Sequence, residues 1–384
     1  MEFFLYHDDE LNVIASFLKN MDILNLLSTA RELRKFKSKI KFQLDIIPLN
    51  KNLKNLWYIN NLHFSKNVRN IHELVSIKPN VKEIVFCKKY QSVLLPGNIP
   101  PWIQSIKFGN SFNQELKPGI IPFGVKKVIF PSSFNQKLKV GDIPPTVEFL
   151  VFDREFDTYI EPGVLPDSIT TLIFKSQYNH PFHLGCIPKN VQHLVLPPMF
   201  NQKLDVGDIP NSVTSLRLGY SFNKPLRSGD IPSSVKKLSF WCINYEHHLL
   251  VGSIPFGVEF LDFCFVKPIC VVYPRSVTHL KLLRIDASII PSRVTTITLK
   301  MDTLDHQDTF KFLPKTVTHL IFSKDESSYN SWEWGDRYYA DHIKTYSVIY
   351  SDGKQRDFDN YKDMCNYDPM KKRNFQKGFA VCKN

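Results

Sequence analysis

The sequence predicts a mainly β solenoid whose coils of about 22 residues each add one short strand to a parallel sheet. Three observations predict it. Proline recurs at a fixed distance, an alternating apolar and polar stretch follows each proline, and glycine stands three residues before it. The prolines that stand 22 residues apart are Pro100, Pro122, Pro144, Pro166, Pro188, Pro210 and Pro232. The spacing then loosens, with later prolines at Pro255, Pro274, Pro291 and Pro314.

Each predicted strand follows its proline. An aliphatic residue comes three positions after the proline, and this series extends backwards at the same spacing to Val81 and Ile59. Further apolar residues come six and eight positions after the proline, so the pattern ends in the period-two alternation of a strand. We expect these side chains to point into the coil and those between them to face solvent.

The rest of each coil predicts how the chain returns. Glycine supplies the positive φ that a tight corner needs. An aromatic series should stack as an inner column, and an amide series beside it should bond backbone groups of its own and the next coil. The aromatic residues are Phe112, Phe134, Phe156, Tyr178, Phe200 and Phe222, and the polar ones are Asn113, Asn135, Asp157, Asn179, Asn201 and Asn223.

Phe-Asn, Gly, Ile-Pro, Val and Leu-x-Phe at this spacing resemble the FNIP repeat, a leucine-rich-repeat-like family typical of social amoebae and of giant viruses that infect them. The best-kept repeats cover residues 81–252 within a predicted solenoid of residues 46–322. Residues 323–384 lose the pattern and are predicted to form an irregular α/β C-terminal cap. Within that cap, Tyr346–Tyr350 before Asp352-Gly353 predicts a hairpin.

Residues 1–45 predict a small bundle of about three helices, because apolar residues recur at helical spacing without proline or glycine from His7 to Gln43. The order of these residues resembles the F-box motif, whose apolar side chains bind the Skp-type linker of SCF ubiquitin ligases. The resemblance implies a linker-binding set of Asp9, Leu11, Ile14, Leu18, Ile23, Leu24 and Leu27. The alternative is a helical cap that covers the open end of the solenoid.

Composition limits the function classes. The 384 residues carry a formal charge of +12 and seven cysteines without a CxxC pair, which favours a reducing compartment over a disulfide framework or zinc site. We expect a monomer in the cytoplasm or nucleus, or inside the host cell if the protein is viral. No signal peptide, membrane span, cofactor, metal site or catalytic motif is expected, so the sequence predicts no enzyme.

A protein-binding face is predicted on the outward strand positions, five and seven residues after each proline. Ile129, Phe149, Val151, Ile173 and Val195 should form an exposed apolar strip beside His193, with Lys107, Lys127, Arg217 and Lys237 flanking it. The combined prediction is a substrate-recognition adaptor of an SCF-type ubiquitin ligase, which docks the Skp-type linker and cullin and binds an unknown target. The alternatives are an interaction scaffold without a ubiquitin role and, from the charge, a nucleic-acid binder.

Overall fold

The structure is a computed structural model. It describes residues 43–44, 64–77, 79, 81–90, 92–242, 244–263, 271–282, 290–300, 313–323, 343–349 and 355–359. The chain divides into two compact units, Met1–His193 and Leu194–Asn384. The predicted linker-binding residues and nearly all of the predicted bundle of residues 1–45 lie outside the described residues.

The regular elements of the described residues are short strands and one short helix, joined by turns and irregular segments. The first unit contains β1 (Gln43–Leu44), β2 (Phe64–Val68), the helix α1 (Ile71–Val75), β3 (Val81–Phe86), β4 (Ser105–Lys107), β5 (Lys127–Ile129), β6 (Phe149–Phe152) and β7 (Thr171–Phe174). Strand β8 (His193–Val195) spans the boundary between the two units. The second unit contains β9 (Ser215–Leu218), β10 (Lys237–Phe240), β11 (Phe260–Phe263), β12 (His279–Leu282), β13 (Thr296–Lys300), β14 (His319–Ser323), β15 (Thr345–Ile349) and β16 (Gln355–Phe358). No helix among these residues is long and apolar enough to cross a membrane.

The predicted parallel solenoid is confirmed in each unit. Strands β1 to β7 pair in chain order and in parallel, and so do β9 to β15. Residues 22 apart face each other in the regular coils, as Lys107 faces Ile129. Strand β16 runs antiparallel to β15, so the predicted hairpin is present.

A turn at the repeated proline precedes each of the strands β4 to β14. The N–H of Val125 donates to the carbonyl of Pro122 at 3.1 Å, and the same bond recurs in the other coils. This turn points Val125, Val128 and Phe130 inward, and all three are fully buried. The predicted inward positions are therefore the core of the solenoid.

Aromatic rings fill that core as two columns. In the return column, the ring centroids of Phe112 and Phe134 lie 6.1 Å apart, nearly parallel. The strand-end rings form a second column, with Phe108 and Phe130 5.5 Å apart. The two columns also contact each other within a coil, since Phe130 and Phe134 are stacked at 4.2 Å. The predicted return column is confirmed within each unit, from Phe112 to Tyr178 in the first and from Phe200 to Tyr245 in the second.

The amide series forms a ladder between coils, as predicted. The Oδ1 atom of Asn113 accepts from the backbone N–H of Asn135 at 2.9 Å, and the Oδ1 atom of Asn135 accepts from that of Asp157 at 2.9 Å. Asn113 and Asn135 are themselves exposed. The ladder satisfies backbone donors along the solvent edge of the return side.

The corner glycines have positive φ, as predicted, with φ of 93° at Gly141. The sequence reasoning missed the buried carboxylate that follows some of them. Asp142 is only 1% exposed, and its Oδ2 atom accepts from the backbone N–H of Lys139 at 2.7 Å. Asp208 and Asp230 make the same bond in their coils, so the side chain closes the corner where glycine reverses it.

Two details of the repeat count differ from the prediction. Ile84 of β3 faces Lys66 of β2, which are 18 residues apart, so the 22-residue spacing does not extend back to Ile59. The short helix α1 lies in this coil, between β2 and β3. The sheet also extends past both predicted ends of the solenoid, because β1 precedes residue 46 and β15 follows residue 322.

Candidate protein-binding face

The predicted outward residues of the first unit form two aligned rows. Sheet register places Ser105, Lys127, Phe149 and Thr171 on neighbouring strands, and it places Lys107, Ile129, Val151 and Ile173 beside them. Because parallel strands lie about 4.8 Å apart, each row presents one side chain at that interval. The geometry therefore brings these predicted residues together on one surface.

The centre of this surface is apolar but less exposed than predicted. Ile129, Phe149 and Ile173 are half-buried, which leaves part of each side chain in contact with solvent. Val151 is only 5% exposed, so its assignment to the exposed strip was wrong. Val151 lies between Ile129 and Ile173 in the sheet register, and both of these side chains are longer.

Two lysines border the apolar centre on the side of β4. Lys107 is exposed, and the Nζ atom of Lys127 lies 5.0 Å from the centroid of the Phe149 ring, a cation–π distance. Glu83 is the nearest carboxylate in the same row, and it accepts a hydrogen bond from Ser105 Oγ at 3.2 Å. Among the described residues, neither Lys107 nor Lys127 forms an ion pair.

His193, at the end of the first unit, is exposed, and its backbone N–H donates to the carbonyl of Thr170 at 3.0 Å. The other predicted face residues, Val195, Arg217 and Lys237, belong to the second unit. Val195 is half-buried, whereas Arg217 and Lys237 are exposed. The guanidinium carbon of Arg217 lies 5.9 Å from the Trp241 ring centroid.

The strand surface of the second unit is more polar. Asp262 is 8% exposed and accepts from Ser239 Oγ at 3.0 Å. Its carboxylate also lies 3.7 Å from the Nζ atom of Lys281. Ser239, Asp262 and Lys281 occupy the same row on successive strands, so polar contacts replace the apolar strip there.

A corner ridge, formed by the residues just before the corner glycines of the first unit, is an exposed feature that the sequence reasoning missed. Its members are Pro96, Pro118, Val140, Pro162 and Leu184. Val140 and Leu184 are 73% and 76% exposed, more than any residue of the predicted strip. An apolar residue before each glycine was the signal. Part of this ridge has a packing role, because a Cβ added at Gly119 would lie 3.3 Å from that of Pro96.

Burial shifts the pKa values of two buried side chains of the second unit. Burial raises the pKa of the Cys242 thiol to about 12, which disfavours the thiolate form that a nucleophile requires. Burial likewise raises the pKa of Tyr245 to about 12. No cluster of histidine, cysteine, aspartate or glutamate with the arrangement of a metal site occurs among the described residues.

Comparison with known proteins agrees with the repeat pattern. The family model described as FNIP Repeat matches residues 90–133, 134–177, 178–221, 200–242 and 222–265, which together make up somewhat less than half of the chain. This segment consists of FNIP repeats. No curated protein matches the chain.

A similar fold occurs in a crystal structure described as that of CroV588, a novel circular LRR protein structure. The TM-score is 0.56 at 19% sequence identity, over 76% of this chain. The chain spans 45% of the length of that protein. This likeness supports a leucine-rich-repeat-like solenoid, and the protein is a repeat protein.

Proposed function

We propose that the chain is a non-enzymatic adaptor that binds a target protein on the strand surface of its first unit. The observation that carries this proposal is the register of β4 to β7, which gathers half-exposed apolar side chains beside two lysines. Apolar centres with polar rims are typical of protein interfaces. Extended strand surfaces are what solenoids commonly present to partners.

The finer proposal is that the adaptor serves an SCF-type ubiquitin ligase in the cytoplasm or nucleus. It is supported by the resemblance of residues 1–45 to the F-box motif, through the apolar set that begins at Leu11. The adaptor would contribute proximity, because tethering a target beside the ligase raises its effective concentration. No chemical step is assigned to the chain itself.

The target-binding proposal is tested by affinity purification from the native cell with the full chain and with the double variant Ile129→Lys/Ile173→Lys. Two charges at the apolar centre should abolish capture of face-dependent partners. Lys117→Glu/Lys189→Glu is the matched control, since both lysines are exposed away from the two rows. Equal capture by the double variant and by the native chain would contradict the proposal, provided that both melt at the same temperature.

The ligase proposal is tested separately by pulldown of the Skp-type linker. Leu11→Asp with Leu24→Asp should abolish the pulldown while leaving target capture unchanged. A folded native chain that never retains the linker would leave only the binding module.

The alternative is a repeat scaffold without a ubiquitin role, in which the N-terminal segment caps the solenoid. Deletion of residues 1–40 separates the two, because it removes the F-box-like sequence and leaves β1 intact. A cap predicts a large loss of thermal stability in the deletion variant. An independent F-box predicts an intact solenoid that has lost only the linker.

A further inference from the structure

We propose that the second unit carries a separate protein-binding site where the chain leaves strands β8, β9 and β10, and that it binds a partner segment carrying a carboxylate beside an apolar side chain. The site consists of an exit cluster, defined as Met199, Tyr220 and Trp241, together with the cation Arg217. All four residues belong to the second unit. The inference therefore goes beyond the proposed function, which depends on the strand surface of the first unit.

The exit cluster is brought together by close contact between successive coils. Gly219, which follows β9, passes so close to the previous coil that a Cβ added there would lie 2.0 Å from the carbonyl oxygen of Pro197. The residues after the glycine lie against the same coil, since Ser221 Oγ is 3.5 Å from the sulfur of Met199. Tyr220 stands between these two contacts in the chain, so its position relative to the previous coil is fixed on both sides.

Tyr220 also contacts the coil that follows. Its ring centroid lies 6.1 Å from that of Trp241, with the two ring planes at 73°. An edge-to-face pair of this kind is a favourable aromatic contact. The guanidinium carbon of Arg217 lies over the same indole, 5.9 Å from its centroid, which is a cation–π distance. The aromatic rings and a positive charge therefore meet at Trp241.

The fold does not require apolar residues at these exits. In the first unit the positions equivalent to Tyr220 are occupied by Asn110, Ser132 and Arg154, and the strands there pair in the same register. Met199 and Tyr220 are nevertheless 46% and 38% exposed. Tryptophan, tyrosine, methionine and arginine are enriched at protein interfaces. Exposure and composition together favour a protein-binding site.

The charge of the site favours an acidic partner. Arg217 and Lys237 lie on the adjacent strands β9 and β10, are exposed, and form no ion pair among the described residues. Of the carboxylates at the next strand, β11, Glu259 pairs with Lys236 at 3.5 Å and Asp262 is only 8% exposed. Arginine binds carboxylates through two parallel hydrogen bonds. A partner carboxylate would therefore complete the charge of this site beside the exposed rings.

The experiment is a subtractive selection from a random peptide library displayed on phage. The library is first depleted on the variant Met199→Ser/Tyr220→Ser/Arg217→Ser, which removes peptides that bind elsewhere on the chain. It is then selected on the immobilised native full chain. The expected result is enrichment of clones that contain Asp or Glu together with an aromatic or aliphatic residue. No enrichment, or enrichment of clones without an acidic residue, would overturn the inference.

Charge reversal tests the role of Arg217. The variant Arg217→Glu should weaken binding of a selected acidic peptide, labelled with a fluorophore, about fivefold or more, and should shift a repeated selection toward Lys or Arg. Arg154→Glu is the matched control, because this arginine is also exposed and follows β6 in the first unit, so its reversal should change neither result. Equal weakening by the two reversals would mean that only the overall charge matters, and would overturn the inference.

Loss of a side chain from the exit cluster tests its apolar part. Tyr220→Ser should weaken binding of the same peptide about fivefold or more, whereas Tyr220→Phe keeps the ring and should bind as the native chain does. Met199→Ser, at the more exposed side chain, provides a second measurement if Tyr220→Ser lowers the melting temperature. Unchanged binding by both serine variants would overturn the inference.

Two other occupants are outcomes of the same test. Labelled oligothymidylate offers phosphates to Arg217, and a polyproline peptide offers a ligand that aromatic surfaces bind. Each is titrated against the native chain and against Arg217→Glu and Tyr220→Ser. If either binds more tightly than the selected acidic peptide and loses its affinity in these variants, the inference is overturned. Weaker binding by both supports it.

Discussion

The strand side and the return side of the coils differ in how strictly they repeat. In the second unit, Phe260 pairs with His279 and His279 with Thr296, although these partners are 19 and 17 residues apart. The strand ladder therefore continues where the coil length changes. Among the described residues, the rings of the return column stack where the coils are 22 or 23 residues long, as between Phe200 and Phe222 and between Phe222 and Tyr245, both at 6.3 Å.

This difference indicates that the strand side and the return side of a coil place different requirements on the sequence. The coils of β9 to β14 keep the turn after proline and the inward apolar residues, as at Val277 and Val294. Strand β15 pairs with β14 although Ala340 replaces the proline, so strand pairing depends chiefly on the inward apolar residues. The stacked rings and the amide hydrogen bonds form only when equivalent residues of successive coils lie next to each other. They therefore constrain the number of residues in each coil. The predictions below perturb the return side, the strand exit and the corner in turn.

The largest effect is expected at the centre of the return column. Phe134→Ala removes a fully buried ring that stacks on Phe112, Phe130 and Phe156, and it should lower the free energy of unfolding by about 3–5 kcal/mol. Phe123→Ala is the matched control, because Phe123 is 73% exposed. Denaturant unfolding of both variants measures the difference, and similar losses would show that the column is not the main support of the coil.

The next effect tests the exit from the strand. A Cβ at Gly109 would lie 1.9 Å from the carbonyl oxygen of Cys87, so Gly109→Ala should force the two coils apart and cost about 1–3 kcal/mol or more. At Gly163 a Cβ meets nothing within 4 Å, and only its φ of 78° opposes alanine. Gly163→Ala should therefore cost less, about 1 kcal/mol. Reversal of this order in thermal melts would contradict the close approach of Gly109 to the previous coil.

A smaller effect is expected in the amide ladder. The Oδ1 atom of Asn135 accepts from the backbone N–H of Asp157 at 2.9 Å and from Thr158 Oγ1 at 2.8 Å, so Asn135→Ala should cost about 1 kcal/mol. Asn135→Asp keeps the acceptor, as Asp157 does for Asn179 at 3.1 Å, and should retain most of the stability. Hydrogen exchange of the Asp157 amide reports the lost bond directly, and unchanged protection in the alanine variant would exclude it.

The smallest effect concerns the corner. Burial raises the pKa of Asp142, although the hydrogen bond from the Lys139 N–H partly opposes this shift. A raised pKa means that the folded state binds the proton more tightly than the unfolded state. The stability that Asp142 contributes is thus complete below its unfolded pKa and is lost as pH rises through its folded pKa.

Asp142→Asn removes that dependence and keeps an acceptor for Lys139. Asn98 makes this bond naturally, since its Oδ1 atom accepts from the Leu95 N–H at 2.7 Å. At neutral pH the variant should be more stable than the native chain by less than about 1 kcal/mol, and the gain should vanish in acid. Denaturant midpoints at neutral and acid pH measure this, and a variant that is less stable at neutral pH would show that the charge itself is needed.

Much of the fold could be predicted because each coil repeats the same physical constraints. Pro122 and Gly119 mark a turn and a corner, and Val125 and Phe130 mark the buried side of the strand, so their spacing alone predicts the sheet. Strand β15 was missed as a solenoid strand because Ala340 occupies the place of the expected proline, although Ile343 and Tyr346 keep the inward positions.

The site was only partly predictable. The alternation of apolar and polar residues predicted which side chains point away from the core. The sheet register then places Ile129, Val151 and Ile173 side by side. Exposure depends on the relative lengths of neighbouring side chains from different coils, which no single coil encodes. That is why the burial of Val151 and the prominence of Leu184 on the corner ridge were not predicted.

The amide ladder has a consequence for how such a chain can change over time. The backbone N–H of Asn135 donates to Asn113 in the coil before it, and the Oδ1 atom of Asn135 accepts from the backbone N–H of Asp157 in the coil after it. A whole coil can therefore be duplicated or lost without leaving a backbone N–H unpaired. Length thus becomes adjustable in steps of one coil. Meanwhile the two outward residues of every strand remain free to diverge, which lets one scaffold acquire new specificities without redesigning its interior.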